Sequence, residues 1–529
     1  MTQPEPSTVA DRLARATQAA AALSKTTPVS ERRLDDALAG ALDPQRLIDN
    51  LAEAWRVSPE EARRLLEEHG FGGVLARLRT PSTAGGGEVR GRPLAAAPLL
   101  KLAGGRISLL SLNPTLSEPI PAPQAALDAV ARSLAAFLPT AAADALAVLY
   151  RSDPAGYAAA FLKETAPRID AYLRRHFGDS GLKYLVNSGI GANEQFNYLV
   201  ASLANERPDR RVTWLLANSP KEVAGLPADA TVDNTLFMEF SRSGITEETI
   251  KMHELTPRAA RRVVFANTGP LRALGERDGN LLLDLPSEVS GRYGRNQTPI
   301  LMAPMHVAGL DVAAYWAIIA EACRALDPGD AGSAPVVLAQ YLRLQQLRHG
   351  VNHIYLGTND RRLIFAADEF CQYWNEGVNR DGNDITMSRY LGLPRDSHMN
   401  LEAILGTAER KLAIFLLRTG EVGGHPLLGR QVDPVNPAHA GLTPGEVDLV
   451  LALANVQRCS EKMPVVVIAV AEVDLAASAW LGQLWADTTL VYSRLIGVDP
   501  GSNPEVKAVR TRAGQWLANK AEAFALLRP

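Results

Sequence analysis

From Leu182 onward the chain alternates short apolar runs, each ended by Gly, Asn or Ser, with stretches of helical periodicity. The first runs are Leu182 to Val186, Val212 to Leu216, Leu236 to Phe240, Val263 to Ala266 and Leu281 to Leu285. Strands that alternate with helices pair in parallel, and the helices cover both faces of the sheet. The pattern predicts an α/β fold with a doubly wound parallel sheet, in which ligands bind beyond the carboxyl ends of the strands. A second series follows the long helical stretches around Val312 to Ala325 and Val336 to Leu347. Its runs, His353 to Leu356, Leu412 to Leu417, Val465 to Val470 and Thr489 to Tyr492, predict a second lobe of the same class.

The segment before these runs reads differently. To about Arg79 it is rich in Ala, Arg and Glu with helical periodicity and no strand signal. Within Ser58 to Gly70, Ser58 can cap, Pro59 suits the first turn, Glu61 completes a capping box and Gly70 stops the helix. Thr80 to Gly87 has linker composition, and more helix is expected from Pro123 to Phe177. The expected organisation is a helical N-terminal extension over 1–110, a first lobe over 111–330, and a second lobe with a C-terminal helix over 331–529.

Composition narrows the function classes. The 529 residues are 47% hydrophobic and 21% charged, which suits a globular chain and excludes a disordered or collagen-like one. The formal net charge of -3 gives no electrostatic case for nucleic acid or an anionic membrane as partner. Cys323, Cys371 and Cys459 lie far apart, which argues against a disulfide framework or a metal knuckle and fits a reducing compartment. Met1 to Ala10 lack a basic-then-apolar pattern, and no apolar run approaches the roughly 20 residues that span a bilayer. A cytoplasmic location is the expectation.

Five segments have the residue types for chemistry. Asn187 to Glu194 contains Gly189 and Gly191 between a strand and a helix, where free backbone N–H groups meet an anion; a tight structural turn has the same spacing. Ser241-Arg242-Ser243-Gly244-Ile245-Thr246 offers three hydroxyls, a fixed positive charge and a permissive glycine to a phosphate group. It also describes a helix capped by Thr246, with Glu247 and Glu248 favouring the dipole. Ser287 to Asn296 places Arg292 beside Gly291 in a polar loop, where it could reach an oxyanion. Phe370 to Gly377 reads as the end of a helix with Gln372 and Glu376 on one face; a carboxylate there can serve as a base, although most such glutamates are surface residues. Asp396-Ser397-His398-Met399 puts a His in a turn before a helix. No HExxH, P-loop or GxSxG pattern is present, so metal and triad hydrolases have little support.

In order and spacing, these segments resemble glucose-6-phosphate isomerase, a family of two sugar-isomerase (SIS-type) lobes. Gly189 to Asn193 is similar to the family's Gly-Ile-Gly-Gly-Ser turn, and Ser241 to Thr249 to its phosphate loop. Val289 to Gly294 resembles Val-Gly-Gly-Arg-Tyr-Ser, Gln372 to Arg380 resembles Gln-x-x-x-Glu-Ser-x-Gly-Lys, and Asp396 to Met399 resembles Asp-Gln-His-Ser. Ser502 to Arg510 resembles the C-terminal Asp-Gln-Pro-Gly-Val-Glu-x-Gly-Lys. The chain departs from these motifs at Asn193, Arg242, Ile245, Ser397, Asn503 and Arg510, so the resemblance supports the reaction type more firmly than the substrate.

The resemblance implies an aldose-ketose isomerase of glycolysis and gluconeogenesis that interconverts glucose 6-phosphate and fructose 6-phosphate. Glu376 would move the proton between C2 and C1 through a cis-enediol. Arg292 would stabilise that intermediate, and His398 with Arg510 would open the ring. Ser241, Arg242, Ser243 and Thr246 would hold the phosphate, with Gly191, Asn193, Gly291, Gln372 and Asn503 completing the substrate site. It implies no metal or organic cofactor, a small-molecule sugar phosphate as ligand, and a homodimer whose sites share His398 between subunits. The alternatives are an isomerase of another anionic sugar, such as mannose 6-phosphate, and a sugar-phosphate-binding protein without turnover.

Overall fold

A computed structural model of the chain describes Ser58, Glu60 and residues 96–102, 106–112, 153–179, 181–189, 191–217, 219–285, 293, 298–330, 332–379, 383, 385–393, 395–406, 408–420, 441–500 and 504–525. The strands are β1 (Ala96–Leu102), β2 (Ile107–Leu112), β3 (Tyr184–Ser188), β4 (Thr213–Ala217), β5 (Thr235–Phe240), β6 (Arg261–Phe265), β7 (Leu281–Leu283), β8 (His353–Thr358), β9 (Thr386–Gly392), β10 (Lys411–Arg418) and β11 (Val465–Val470). They form two sheets in an α/β fold. The chain divides into two compact units that interleave in sequence. One takes the described residues of Met1–Leu138, Pro328–Ala367 and Asp384–Val473; the other takes those of Pro139–Asp327, Asp368–Asn383 and Asp474–Pro529.

The second of these units contains an all-parallel sheet in the order β4-β3-β5-β6-β7. Every residue of β5 is buried, as befits a central strand covered on both faces. The helices that matter for the site are α1 (Ala192–Glu206), α2 (Glu247–Leu255), α3 (Gly269–Arg277), the later part of α4 (Leu363–Val378), α5 (Leu475–Leu495) and α6 (Pro504–Ala518). The chain leaves β3 towards β4 on one side and β5 towards β6 on the other, so the strand order reverses between β3 and β5. A crevice opens beyond the carboxyl ends of strands at such a reversal.

The other unit contains a six-stranded sheet in the order β1-β2-β11-β10-β8-β9. Its four strands from 353–470 run parallel in the same relative order as β4-β3-β5-β6, and β2 and β1 extend it antiparallel. Part of the segment expected as helical extension is therefore sheet. Leu102 to Ile107 contains Gly104-Gly105, a hairpin signal, but Pro98 and the alanines obscure the first strand. Pro98 sits at a register shift in an edge strand, where the missing N–H does least harm.

One further expectation needs correction. Thr489 to Tyr492 is not a strand but part of α5, which is buried from Ala477 to Ser493. A helix buried all round loses the apolar stripe that would identify it, and a short apolar run fits either element. Of the helix spelled out over Ser58 to Gly70, only Ser58 and Glu60 are described, and the linker at Thr80 to Gly87 lies outside the described residues. No helix among the described residues is long and apolar enough to cross a membrane.

Candidate active site

The crevice of the parallel sheet brings together the first two sequence candidates. β3 ends at buried Ser188, and Gly191 follows with φ 65°, ψ -127° at the start of α1. That left-handed φ favours glycine. A Cβ on Gly191 would also lie 2.9 Å from Gln372 Nε2, so the turn and the end of α4 are in close approach. Gln372 Nε2 in turn donates to Glu376 Oε1 at 3.1 Å. Gln372 Oε1 is buried and accepts no hydrogen bond among the described residues, leaving an acceptor that a ligand hydroxyl could satisfy.

β5 ends one residue before Ser241, which is buried; Arg242 and Ser243 are exposed and Ile245 is 64% exposed at the loop tip. Ser241 Oγ and Thr246 Oγ1 lie 2.8 Å apart. Thr246 occupies the N-cap position of α2, but its side chain makes no cap hydrogen bond to the helix. The capped-helix alternative thus receives no support from the hydroxyl, and the first turn of α2 keeps N–H groups for an anion. Gly514 on α6 packs near this turn, since a Cβ there would stand 3.7 Å from Glu247 Oε1. Arg510 lies one helical turn before Gly514.

The face of α4 opposite Gln372 and Glu376 packs on α5 through three contacts. Phe370 stacks on Trp485 with centroids 4.1 Å apart, Trp374 meets Tyr492 at 4.5 Å, and Gly377 lies against Thr489, whose Cγ2 would be 2.7 Å from a Cβ. Positions 370, 374 and 377 lie on one helical face, and so do 485, 489 and 492. Each buried aromatic contributes about 1.5–3 kcal/mol through the area it removes from water. Gln372 and Glu376 are left on a different face. Tyr293, next in sequence to Arg292, is buried with its ring 5.6 Å from that of Tyr373, and its hydroxyl would lie 3.1 Å from a Cβ on Gly377.

The structure thus joins Gly191, Gln372 and Glu376 directly and places Ser241, Arg242, Ser243 and Thr246 at the neighbouring strand end. Asn193 is on the first turn of α1 and Arg510 on α6, as backbone positions. His398 belongs to the other unit, on the first turn of the helix Ser397–Leu405, where Asp396 pairs with Arg395 at 3.0 Å. Gly291, Arg292 and Asn503 lie outside the described residues. The sequence reading passed over Asn267, Thr268 and Gly269, and gave no site role to Tyr293, quoted only within a motif, or to Thr489, read as a strand residue. Asn-Thr-Gly after a strand signals a turn, but nothing local says which loop the turn touches. Among the described residues, no three His, Cys, Asp or Glu side chains converge as metal ligands would.

No protein-family profile matches the chain. A hypothetical protein of Thermus thermophilus superimposes with a TM-score of 0.59 at 22% identity, over 74% of this chain and 97% of that one. A glucose-6-phosphate isomerase from Chlamydia trachomatis gives 0.54 at 15% identity, over 69% of this chain and 76% of its own. The fold is shared. In sequence, a protein of Halobacterium salinarum named probable glucose-6-phosphate isomerase is 33% identical over 187 residues, 33% of this chain and 43% of that protein. A protein of the same name from Haloarcula marismortui is 25% identical over 244 residues, 44% of this chain and 55% of its own. The chain spans about half the length of these curated relatives.

Proposed function

We propose that the protein is a phosphosugar isomerase that interconverts glucose 6-phosphate and fructose 6-phosphate. The observation that carries the reading is the Gly191–Gln372–Glu376 contact chain beside the hydroxyl-rich loop 241–246. A carboxylate is thereby held within a crevice whose other wall suits a phosphate. The names of the two archaeal relatives support the same activity.

In this reading Ser241, Arg242, Ser243 and Thr246 hold the phosphate by charge-assisted hydrogen bonds. His398, with Arg510, moves the proton that opens the sugar ring. Glu376 takes the proton from C2 of the open aldose while the carbonyl oxygen gains a proton, giving a cis-enediol. The same carboxyl then returns its proton to C1, and the C2 hydroxyl loses its own to become the ketone. Arg292 offsets the charge that builds on the enediolate oxygens. Gly191, Asn193, Gly291, Gln372 and Asn503 line the substrate. No cofactor takes part. The working form is a cytoplasmic homodimer in which each His398 serves the partner's site, placed in glycolysis and gluconeogenesis.

The test is a coupled assay for glucose 6-phosphate formed from fructose 6-phosphate, with Glu376→Gln as control. Activity in the wild type that is lost in the variant supports both reaction and base; an inactive wild type that still binds fructose 6-phosphate overturns the isomerase. Ile245, exposed where the resembling family has a Thr hydroxyl, favours a second arm with mannose 6-phosphate.

A further inference from the structure

The loop 241–246 is seated on the turn between β6 and α3 through its carbonyl groups. Asn267 N donates to Arg242 O at 3.2 Å, Thr268 Oγ1 to Ser243 O at 3.4 Å, and Leu271 N to Gly244 O at 3.0 Å. Three consecutive carbonyls, the negative ends of the loop's peptides, are thereby engaged by one neighbouring turn. Thr268 stands at the N-cap of α3, yet its side chain makes no cap hydrogen bond to that helix. Leu271 N, one of the donors that a helix leaves without an internal partner, goes to the loop as well.

Close backbone contact requires glycine on both sides. Gly244 has φ 65°, and a Cβ there would lie 1.8 Å from Thr268 O. Gly269 has φ 83°, and a Cβ there would lie 2.6 Å from Ser243 O and 2.9 Å from Gly244 C. Asn267 ties the turn onward. Its Nδ2 donates to Leu285 O at 2.7 Å and its Oδ1 accepts from Leu285 N at 2.8 Å, anchoring the residue from which the chain runs on towards Arg292.

We propose that Asn267 and Gly269 are positioning residues that hold the phosphate loop ready for an anion, with its carbonyl oxygens withdrawn, before substrate arrives. The inference rests on reading 241–246 as the phosphate loop. An anion near peptide groups is favoured by N–H and repelled by C=O, so a loop that had to turn three carbonyls away on binding would bind more weakly.

Gly269→Ala is compared with Gly279→Ala. Gly279 has φ 68° just beyond the other end of α3, with nothing within 4 Å of its would-be Cβ, so it reproduces the backbone strain without touching the loop. The readouts are the kinetics of fructose 6-phosphate isomerisation and competition by inorganic phosphate. The expected result is that Gly269→Ala raises both KM and the inhibition constant of phosphate by about tenfold, with kcat within about threefold. Gly279→Ala should leave all three near wild type. Asn267→Ala should move the same two constants in the same direction, and it decides the matter if Gly269→Ala does not fold. KM and phosphate inhibition within about twofold of wild type in the folded variants would overturn the proposal. Arg242→Ala and Ser241→Ala separate its failure from that of the loop assignment: if these too leave phosphate competition unchanged, the loop does not bind phosphate.

Discussion

Gly191 has two separate reasons to be glycine, and they predict separable effects. Its left-handed φ makes Gly191→Ala cost about 1 kcal/mol of stability, readable by urea unfolding. The new methyl would meet Gln372 Nε2 at 2.9 Å and displace the amide that donates to Glu376. On the proposed reading, with Glu376 as base, isomerisation should therefore fall about tenfold or more, beyond the lost stability, because a misplaced base loses rate steeply. If Glu376 is the base, as proposed, Glu376→Gln removes the proton acceptor and should lower kcat for fructose 6-phosphate by about 10²–10⁴ while leaving its binding intact. Cys459 gives a residue-scale check on the fold itself. Burial pushes its thiol up to about 12. In the native protein it should resist thiol reagents at pH 8 and react only on unfolding, as measured by thiol titration with and without denaturant.

Between elements, the contacts that matter are of two kinds, packing and charge. Gly377→Ala should destabilise by about 1–3 kcal/mol because its methyl would lie 2.7 Å from Thr489 Cγ2. Thr489→Ser removes that methyl and should recover part of the loss, a coupling that a double-mutant cycle measures. The charged contacts bind β5, α2, β6 and the end of α3. His253 lies 2.6 Å from Glu239 and 3.1 Å from Asp278, and Arg262 lies 3.3 Å from Glu239, with all four side chains buried. Glu239→Gln leaves the buried Arg262 guanidinium without its carboxylate and should cost about 3–5 kcal/mol in chemical denaturation. The Arg277 guanidinium foremost, with His253 and Arg258, holds the Asp278 carboxyl below its ordinary value against the opposing effect of burial. A carboxyl depressed in the fold contributes stability above its unfolded value and loses it on acidification. The melting-temperature gap between wild type and Asp278→Asn should be steady from about pH 5 to 8 and close below about pH 4.

These elements were legible in the sequence to different degrees. Strands β3 to β7 could be read because buried parallel strands are continuous apolar runs closed by turn residues. The same signal misled at Thr489 to Tyr492, where a helix enclosed on every side shows no stripe. β9 escaped because Thr386-Met-Ser-Arg-Tyr-Leu-Gly392 mixes polar and apolar residues at a sheet edge. The Gln372–Glu376 face could be read from four-residue spacing. The seat of the loop 241–246 could not, since it is made by groups of segments about 25 residues apart, as in the Ser243–Thr268 bond.

At the scale of the whole molecule, the proposed homodimer has a clean test by mixing inactive chains. Glu376→Gln and His398→Ala should each be inactive. If His398 serves the partner's site, dissociating and recombining them in equal amounts should restore about a quarter of wild-type activity, because half the dimers regain one intact site. If each His398 served its own chain, mixing would restore nothing.

The interleaved units also set a timetable for the newborn chain. β2 leaves the ribosome roughly 350 residues before β11, the strand it pairs with, which at about 5–20 residues per second is a wait of about 20 to 70 s. Throughout that interval the β1–β2 hairpin has an unclaimed edge. A chaperone that binds extended apolar segments should therefore be found on nascent chains ending before residue 470 and be released once β11 has emerged.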